Sequence, residues 1–230
     1  VRWRWRLSHS LIVAVALVPA GLIVIDLLRD NLGANPIEEI THRTGDWTIR
    51  LLLGALAITP LRRLTGWNSI IRIRRTLGLL AFSYACLHFL TWVVLDQGLF
   101  LQGDAIGYVL DDVAKRPYIT VGFTAFVLLV PLAVTSTRGW VRRLGRRWTA
   151  LHRLVYVSAA LGTLHYLWLV KGEQATPVWY ALVLVGLLAL RIRRRSQTDR
   201  GGQSLSPPPP APLRVPARRA PMRAAVPPPP

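Results

Sequence analysis

Apolar residues run in long uncharged stretches along this chain, separated by short segments that are rich in Arg or in Asp and Glu. A helix needs roughly 20 residues to cross about 30 Å of hydrocarbon at about 1.5 Å per residue. Six segments approach that length: about 8–28, 47–64, 76–95, 117–137, 148–170 and 176–192. In the first, residues 10–25 carry no charge, and Asp26 with Arg29 marks its exit. Its length and the lack of a small-residue cleavage site predict an anchor rather than a cleaved signal peptide. The second holds Arg50 and closes on Arg62 and Arg63, side chains long enough to snorkel towards an interface. The pattern predicts an all-α polytopic membrane protein, a six-helix transmembrane bundle over residues 1–195. Residues 196–230 lose apolar periodicity and carry two PPPP runs, which predicts a disordered, basic, Pro-rich tail of polyproline II character.

Composition agrees with a membrane location, since 52% of the 230 residues are apolar, 17% are charged and the mean hydropathy is +0.35. A net charge of +18 raises nucleic acid as a partner, but the charges cluster between apolar runs rather than along one face, which suits anionic lipid instead. Lys and Arg number 3 before the first span, 2 in the first loop, 5 in residues 62–75, 2 in 97–117, 5 in 138–147, 1 before the last span and 5 in 191–200. This alternation predicts cytoplasmic termini and outward loops bearing Glu38, Glu39, Asp46, Asp104, Asp111 and Asp112. All nine Trp residues fall near predicted boundaries. Cys86 stands alone, which excludes an internal disulfide, a Cys-based zinc site and an iron–sulfur cluster held by this chain. No G-x-G-x-x-G or Walker pattern occurs, so NAD(P)H or ATP falls to another chain.

Histidine inside a membrane marks a functional site. His88 stands twelve residues above Thr76, about 18 Å into the third span, and His165 fifteen residues above Ala150, about 22 Å into the fifth. Both spans rise from the cytoplasmic side, so the imidazoles share one level, as axial ligands of a haem between helices would. Without C-x-x-C-H the expected haem is type b. His152 sits about 20 Å lower on the fifth span and is a candidate ligand of a second haem. Its partner at that level is open: His9, Arg74, Arg75 or a water-filled position. Arg74, Arg75 and Arg153 are candidates for propionates, His9 and His42 read as a surface and a loop residue, and Cys86 points away from His88.

Several segments resemble the MsrQ (formerly YedZ) family: Gly33-Ala34-Asn35-Pro36, Ile40-Thr41-His42-Arg43-Thr44-Gly45, Ile58-Thr59-Pro60-Leu61 and Ile71-Arg72-Ile73-Arg74-Arg75-Thr76-Leu77-Gly78-Leu79. Leu87-His88, Arg116-Pro117-Tyr118, Thr135-Ser136-Thr137, Trp148-Thr149-Ala150-Leu151-His152-Arg153-Leu154-Val155-Tyr156 and His165-Tyr166-Leu167-Trp168 extend the match over roughly residues 10–193 in order. The resemblance implies a ferric-reductase-like, haem-binding membrane subunit in the bacterial cytoplasmic (inner) membrane. Such a subunit takes electrons from the quinone pool or a cytosolic flavin reductase. It passes them to MsrP, a periplasmic molybdopterin enzyme that repairs methionine sulfoxide in oxidised proteins. The resemblance assigns His88, His152 and His165 to haem, places Arg74 in the inner haem environment, and implies FMN without naming residues for it.

The expected role is thus an electron-transfer subunit of an oxidoreductase, with one or two b haems and no catalytic residue of its own. Two alternatives stand beside it: a transmembrane ferric or quinone reductase core, and a transporter whose His residues line a proton or metal path. The transporter reading lacks carboxylates within the spans and internal repeats along the chain.

Overall fold

The computed structural model describes residues 2–96, 105–170 and 175–203, with side chains for 10–96, 106–170 and 175–191. Among these residues every regular element is helical, as the sequence predicts. The helices are α1 (Arg2–Leu28), α2 (Pro36–Thr65), α3 (Ile73–Leu90), α4 (Ala105–Lys115), α5 (Pro117–Val134), α6 (Arg138–Leu144), α7 (Arg146–Leu151), α8 (Leu154–Val170) and α9 (Thr176–Gln203). A 3₁₀ turn, Asn68–Arg72, leads into α3, and a π-helical turn, Thr91–Asp96, continues it. Residues 1–193 form one compact unit. Residues 194–230 form a second, of which 194–203 are helical; the rest of the expected tail, and Asp104, lie outside the described residues.

Among the described residues, four helical stretches have the length and apolar composition to cross a membrane: Ser10–Leu28, Asn68–Asp96, Pro117–Val134 and Arg146–Val170. α9 adds a shorter apolar stretch, Thr176–Arg191. α2 is longer than the expected span, because residues 36–46 are helical instead of loop. Asn35 caps its start, accepting from the Glu38 N–H, while Pro36 occupies the first turn where its missing N–H costs nothing. Gly66 ends the helix at φ 71°, its N–H bonded to the Arg62 carbonyl. The expected fifth span is broken at His152 and Arg153, between α7 and α8. α4 and α6 occupy segments that the hydropathy pattern leaves as loops.

α2 packs along α3, and α5 packs along α8; α3 also meets α5, α2 meets α8, and α1 lies against α2 and α3. The core between them is built from Ile49, Leu52, Leu56, Tyr84, Leu129 and Leu132. Ala81 and Ala159, both fully buried, let the inner helices approach closely. Outward faces of α1, α5 and α9 expose Leu11, Leu22, Val127, Leu182 and Val185, an arrangement suited to lipid rather than water. Pro19 interrupts the hydrogen-bond ladder of α1, and there the Tyr84 hydroxyl of α3 donates to the Ala16 carbonyl at 2.6 Å and accepts from the Ala20 N–H at 3.2 Å. Tyr84 lies one helical turn before His88, so this contact ties α1 to the helix that carries the histidine.

Candidate functional site

The bundle encloses a cavity of about 400 Å³ between α2, α3, α5 and α8. Its walls are mainly apolar, with Leu52, Phe89, Phe126 and Leu129 facing small residues such as Ala85 and Gly162. Phe89 and Phe126 stack at 4.8 Å between centroids, which stiffens one wall. His88 from α3 and His165 from α8 project into this space. Their ring centroids are 6.3 Å apart and their planes lie at 75°.

Each ring is held in the same way. His88 Nδ1 lies 2.9 Å from the Thr41 carbonyl of α2, and His165 Nδ1 lies 2.7 Å from the Tyr118 carbonyl of α5. A carbonyl only accepts, so Nδ1 is the donor in both rings and Nε2 keeps its lone pair. That tautomer, with the outer nitrogen anchored on backbone, is the state a metal-ligating imidazole requires. The spacing fits as well: two nitrogen–metal bonds of about 2 Å, with the ring radii added, put the centroids about 6 Å apart. The residues present therefore suit a six-coordinate haem iron.

The two halves of the site repeat. In each, the carbonyl lies 47 residues before its histidine. Gly45 and Gly122, each one helical turn after the carbonyl residue, stand close against the respective rings. The same offset of 77 residues carries Thr41 to Tyr118, Gly45 to Gly122 and Leu87-His88 to Leu164-His165. The carbonyl, the glycine and the histidine thus stand at the same spacings in both halves of the site, one half built on α2 with α3 and the other on α5 with α8. Few side chains are shared between them, so the repeat shows in spacing and not in composition.

The sequence brings His88 and His165 together correctly, and His152 lies apart from them. His152 is half-buried, stacked on the Trp148 indole at 4.0 Å. Thr135 gives its hydroxyl proton to the Pro131 carbonyl at 2.6 Å, so it accepts from His152 Nε2 at 3.1 Å. Arg74 is an electrostatic neighbour of His152, and its guanidinium reaches Thr59 Oγ1 at 3.5 Å. Arg75 and Arg153 are exposed. The side chain of His9 lies outside the described residues. His42 is not a loop residue: it stands on α2, lines the cavity and pairs with Glu38 at 3.8 Å. Cys86 does not line the cavity.

At the rim the cavity meets Glu38, His42, Asp46, Asp96 and Arg116. Arg116 is the one Arg or Lys among the described lining residues. It donates from Nε to Asp112 at 2.7 Å, and its Nη1 lies 3.5 Å from the Tyr118 hydroxyl. Tyr118 first, then the Asp112 and Asp96 carboxylates, hold its pKa above the ordinary arginine value. Nearby, Asp46, Arg50 and Tyr180 form a polar network in which the Tyr180 hydroxyl donates to Asp46 at 2.7 Å and accepts from Arg50 at 2.8 Å. No group of three or more His, Cys, Asp or Glu residues among those described could hold a separate metal ion.

A helical bundle that crosses the membrane and aims two backbone-anchored imidazoles into one apolar cavity defines a ferric-reductase-like transmembrane domain. Residues 44–163 match the family described as "Ferric reductase like transmembrane component". The chain is 53% identical over 189 residues to the protein-methionine-sulfoxide reductase heme-binding subunit MsrQ of Herminiimonas arsenicoxydans, covering 81% of this chain and 84% of that one. It is 55% identical over 181 residues to MsrQ of Ralstonia nicotianae (77% and 81% covered) and 48% identical over 197 residues to that of Azospira oryzae (85% and 82% covered). The chain belongs to the MsrQ family of heme-binding subunits.

Proposed function

We propose that the protein is a haem b electron-transfer subunit whose outer haem is held by His88 and His165. The observation that carries this reading is the pair of Nδ1-anchored rings, 6.3 Å apart at the cavity centre. Bound there, haem supplies one-electron iron chemistry. The chain would supply the rest: the Thr41 and Tyr118 carbonyls orient the two imidazoles, Phe89, Phe126, Leu52 and Leu129 would keep water from the bound group, and Arg116 would offer positive charge to its propionates. His152 is the candidate ligand of a second, inner haem, with Arg74 and Arg75 beside it for propionates or as part of the inner environment. Because Thr135 engages Nε2 of His152, that ligand needs a shift which the outer pair does not.

In the family's role, electrons come from the quinone pool or a cytosolic flavin reductase. They leave to a periplasmic molybdopterin subunit, MsrP, which reduces methionine sulfoxide in oxidised proteins. FMN belongs to this reading by family resemblance alone. The positive-inside pattern supports six spans in the bacterial inner membrane with both termini cytoplasmic, so that the cavity rim with Glu38, Asp46 and Arg116 faces outward.

The test is haem quantitation with a reduced-minus-oxidised spectrum on purified full-length protein, wild type beside His88→Ala, His165→Ala and His152→Ala. The reading expects the first two substitutions to remove one and the same spectral component and the third to spare it. A wild-type chain that takes up no haem under ample supply overturns it in favour of a His-lined transporter.

A further inference from the structure

At Gly45 and at Gly122 an added Cβ meets another side chain closer than 3.4 Å, and in both cases that side chain is a histidine of the pair. At Gly122 the Cβ falls 2.7 Å from His165 Nδ1 and 2.9 Å from its Cε1 and Cγ. At Gly45 it falls 3.0 Å from His88 Cε1 and 3.1 Å from its Nδ1. The carbonyl that each imidazole binds belongs to the residue four positions earlier, the one whose oxygen an α-helix already pairs with the glycine's own N–H. Such an oxygen has a second lone pair, but on an ordinary helix the side chain four residues on stands over it.

We infer that Gly45 and Gly122 are positioning residues of the histidine pair. Each leaves the carbonyl of Thr41 or Tyr118 open to an imidazole from the neighbouring helix, which fixes the Nδ1–H tautomer and aims Nε2 at the cavity. Two independent copies of the arrangement, one in each helix pair, carry the inference, and packing alone does not account for it. Packing requires a small residue but does not require that the ring's nitrogen reach the carbonyl one turn away in both copies. The inference rests on the haem reading above. It adds that ligand geometry is set by backbone exposure on α2 and α5 as well as by the histidines on α3 and α8.

The test uses the full chain in detergent: wild type, Gly45→Ala, Gly122→Ala, His88→Ala and His165→Ala, with Gly78→Ala as a helix-matched control because an added Cβ there meets nothing within 4 Å. Haem per chain, the ferric electron paramagnetic resonance spectrum and the midpoint potential are read on each. Gly122→Ala is expected to weaken haem binding on the order of ten- to a hundred-fold, the usual effect of removing support behind a metal-ligating histidine. Gly45→Ala, with the looser contact, is expected to keep haem but to shift both the low-spin signal and the potential. Gly78→Ala is expected to match wild type. If both glycine variants show wild-type spectra and potentials while the histidine variants lose the haem, the inference is overturned and the haem reading stands. Lower stability with unchanged spectrum and potential in the haem-loaded fraction overturns it equally, because that marks plain packing. If Gly122→Ala does not fold, Gly45→Ala decides by the same two readouts. A spectral component of the His88–His165 pair that persists in both histidine variants defeats the haem reading itself, and the positioning role with it.

Discussion

Replacing Tyr84 by Phe tests how the ligand-bearing helix is seated. The phenol ring is 2% exposed, and Phe preserves its volume, so the substitution isolates the hydroxyl. That hydroxyl donates to the Ala16 carbonyl and accepts from the Ala20 N–H, the groups that flank Pro19 in α1. An unsatisfied buried polar group costs about 1–3 kcal/mol, while hydrogen bonds between membrane helices average about 0.6 kcal/mol, because the backbone finds other partners. Two bonds at the lower value give about 1 kcal/mol, and one stranded group at the upper value gives about 3 kcal/mol. Tyr84→Phe is therefore expected to lose about 1–3 kcal/mol in reversible unfolding in mixed micelles. Tyr84→Ala adds a cavity and should lose a further 3 kcal/mol or so. Hydrogen exchange should quicken selectively at residues 16–20, and the haem spectrum should hold. A Tyr84→Phe protein as stable as wild type, with unchanged exchange in α1, refutes the view that this hydroxyl supports α1 around Pro19.

Three further outcomes follow from the site. Arg116→Gln removes the lone Arg or Lys from the described rim and should lower the outer haem potential, since positive charge near the iron favours the reduced state; an unchanged or raised potential contradicts its role beside the propionates. Thr135→Val frees His152 Nε2 and should alter only the spectral component that His152→Ala removes; movement of the His88-dependent component would place the two sites closer than their geometry allows. Charge reversal at Glu38, Glu39, Asp111 and Asp112 should reduce co-purification with the periplasmic molybdopterin subunit proposed as the partner, and retention at the wild-type level speaks against docking on this face.

Much of the site was legible because depth in a membrane helix follows from counting residues. His88 and His165 are level by that arithmetic, and the rings meet. Their anchoring was not legible. The Thr41 and Tyr118 carbonyls belong to the backbone, which has no sequence signature, and Gly45 and Gly122 resemble any other helical glycine until the repeat spacing of 77 is noticed. The start of α2 was missed for another reason: Glu38, Glu39, Arg43 and Asp46 depress hydropathy, although Asn35-Pro36 with Glu38 is a helix-start signal. The Arg43 guanidinium joins Asp26 of α1 to Glu39 at 2.6 Å each, so those charges seat α2 against α1 and do not mark a loop. The break at His152 and Arg153 carries no Pro or Gly, and no local rule announces it.

The most direct test of the central claim is the electron paramagnetic resonance spectrum of the oxidised, haem-loaded protein. Axial imidazoles whose planes stand 75° apart should give a highly anisotropic low-spin ferric signal, lost on His88→Ala and on His165→Ala alike. A wild-type spectrum without this anisotropic signal, or its survival in either variant, would contradict a haem held between these two residues.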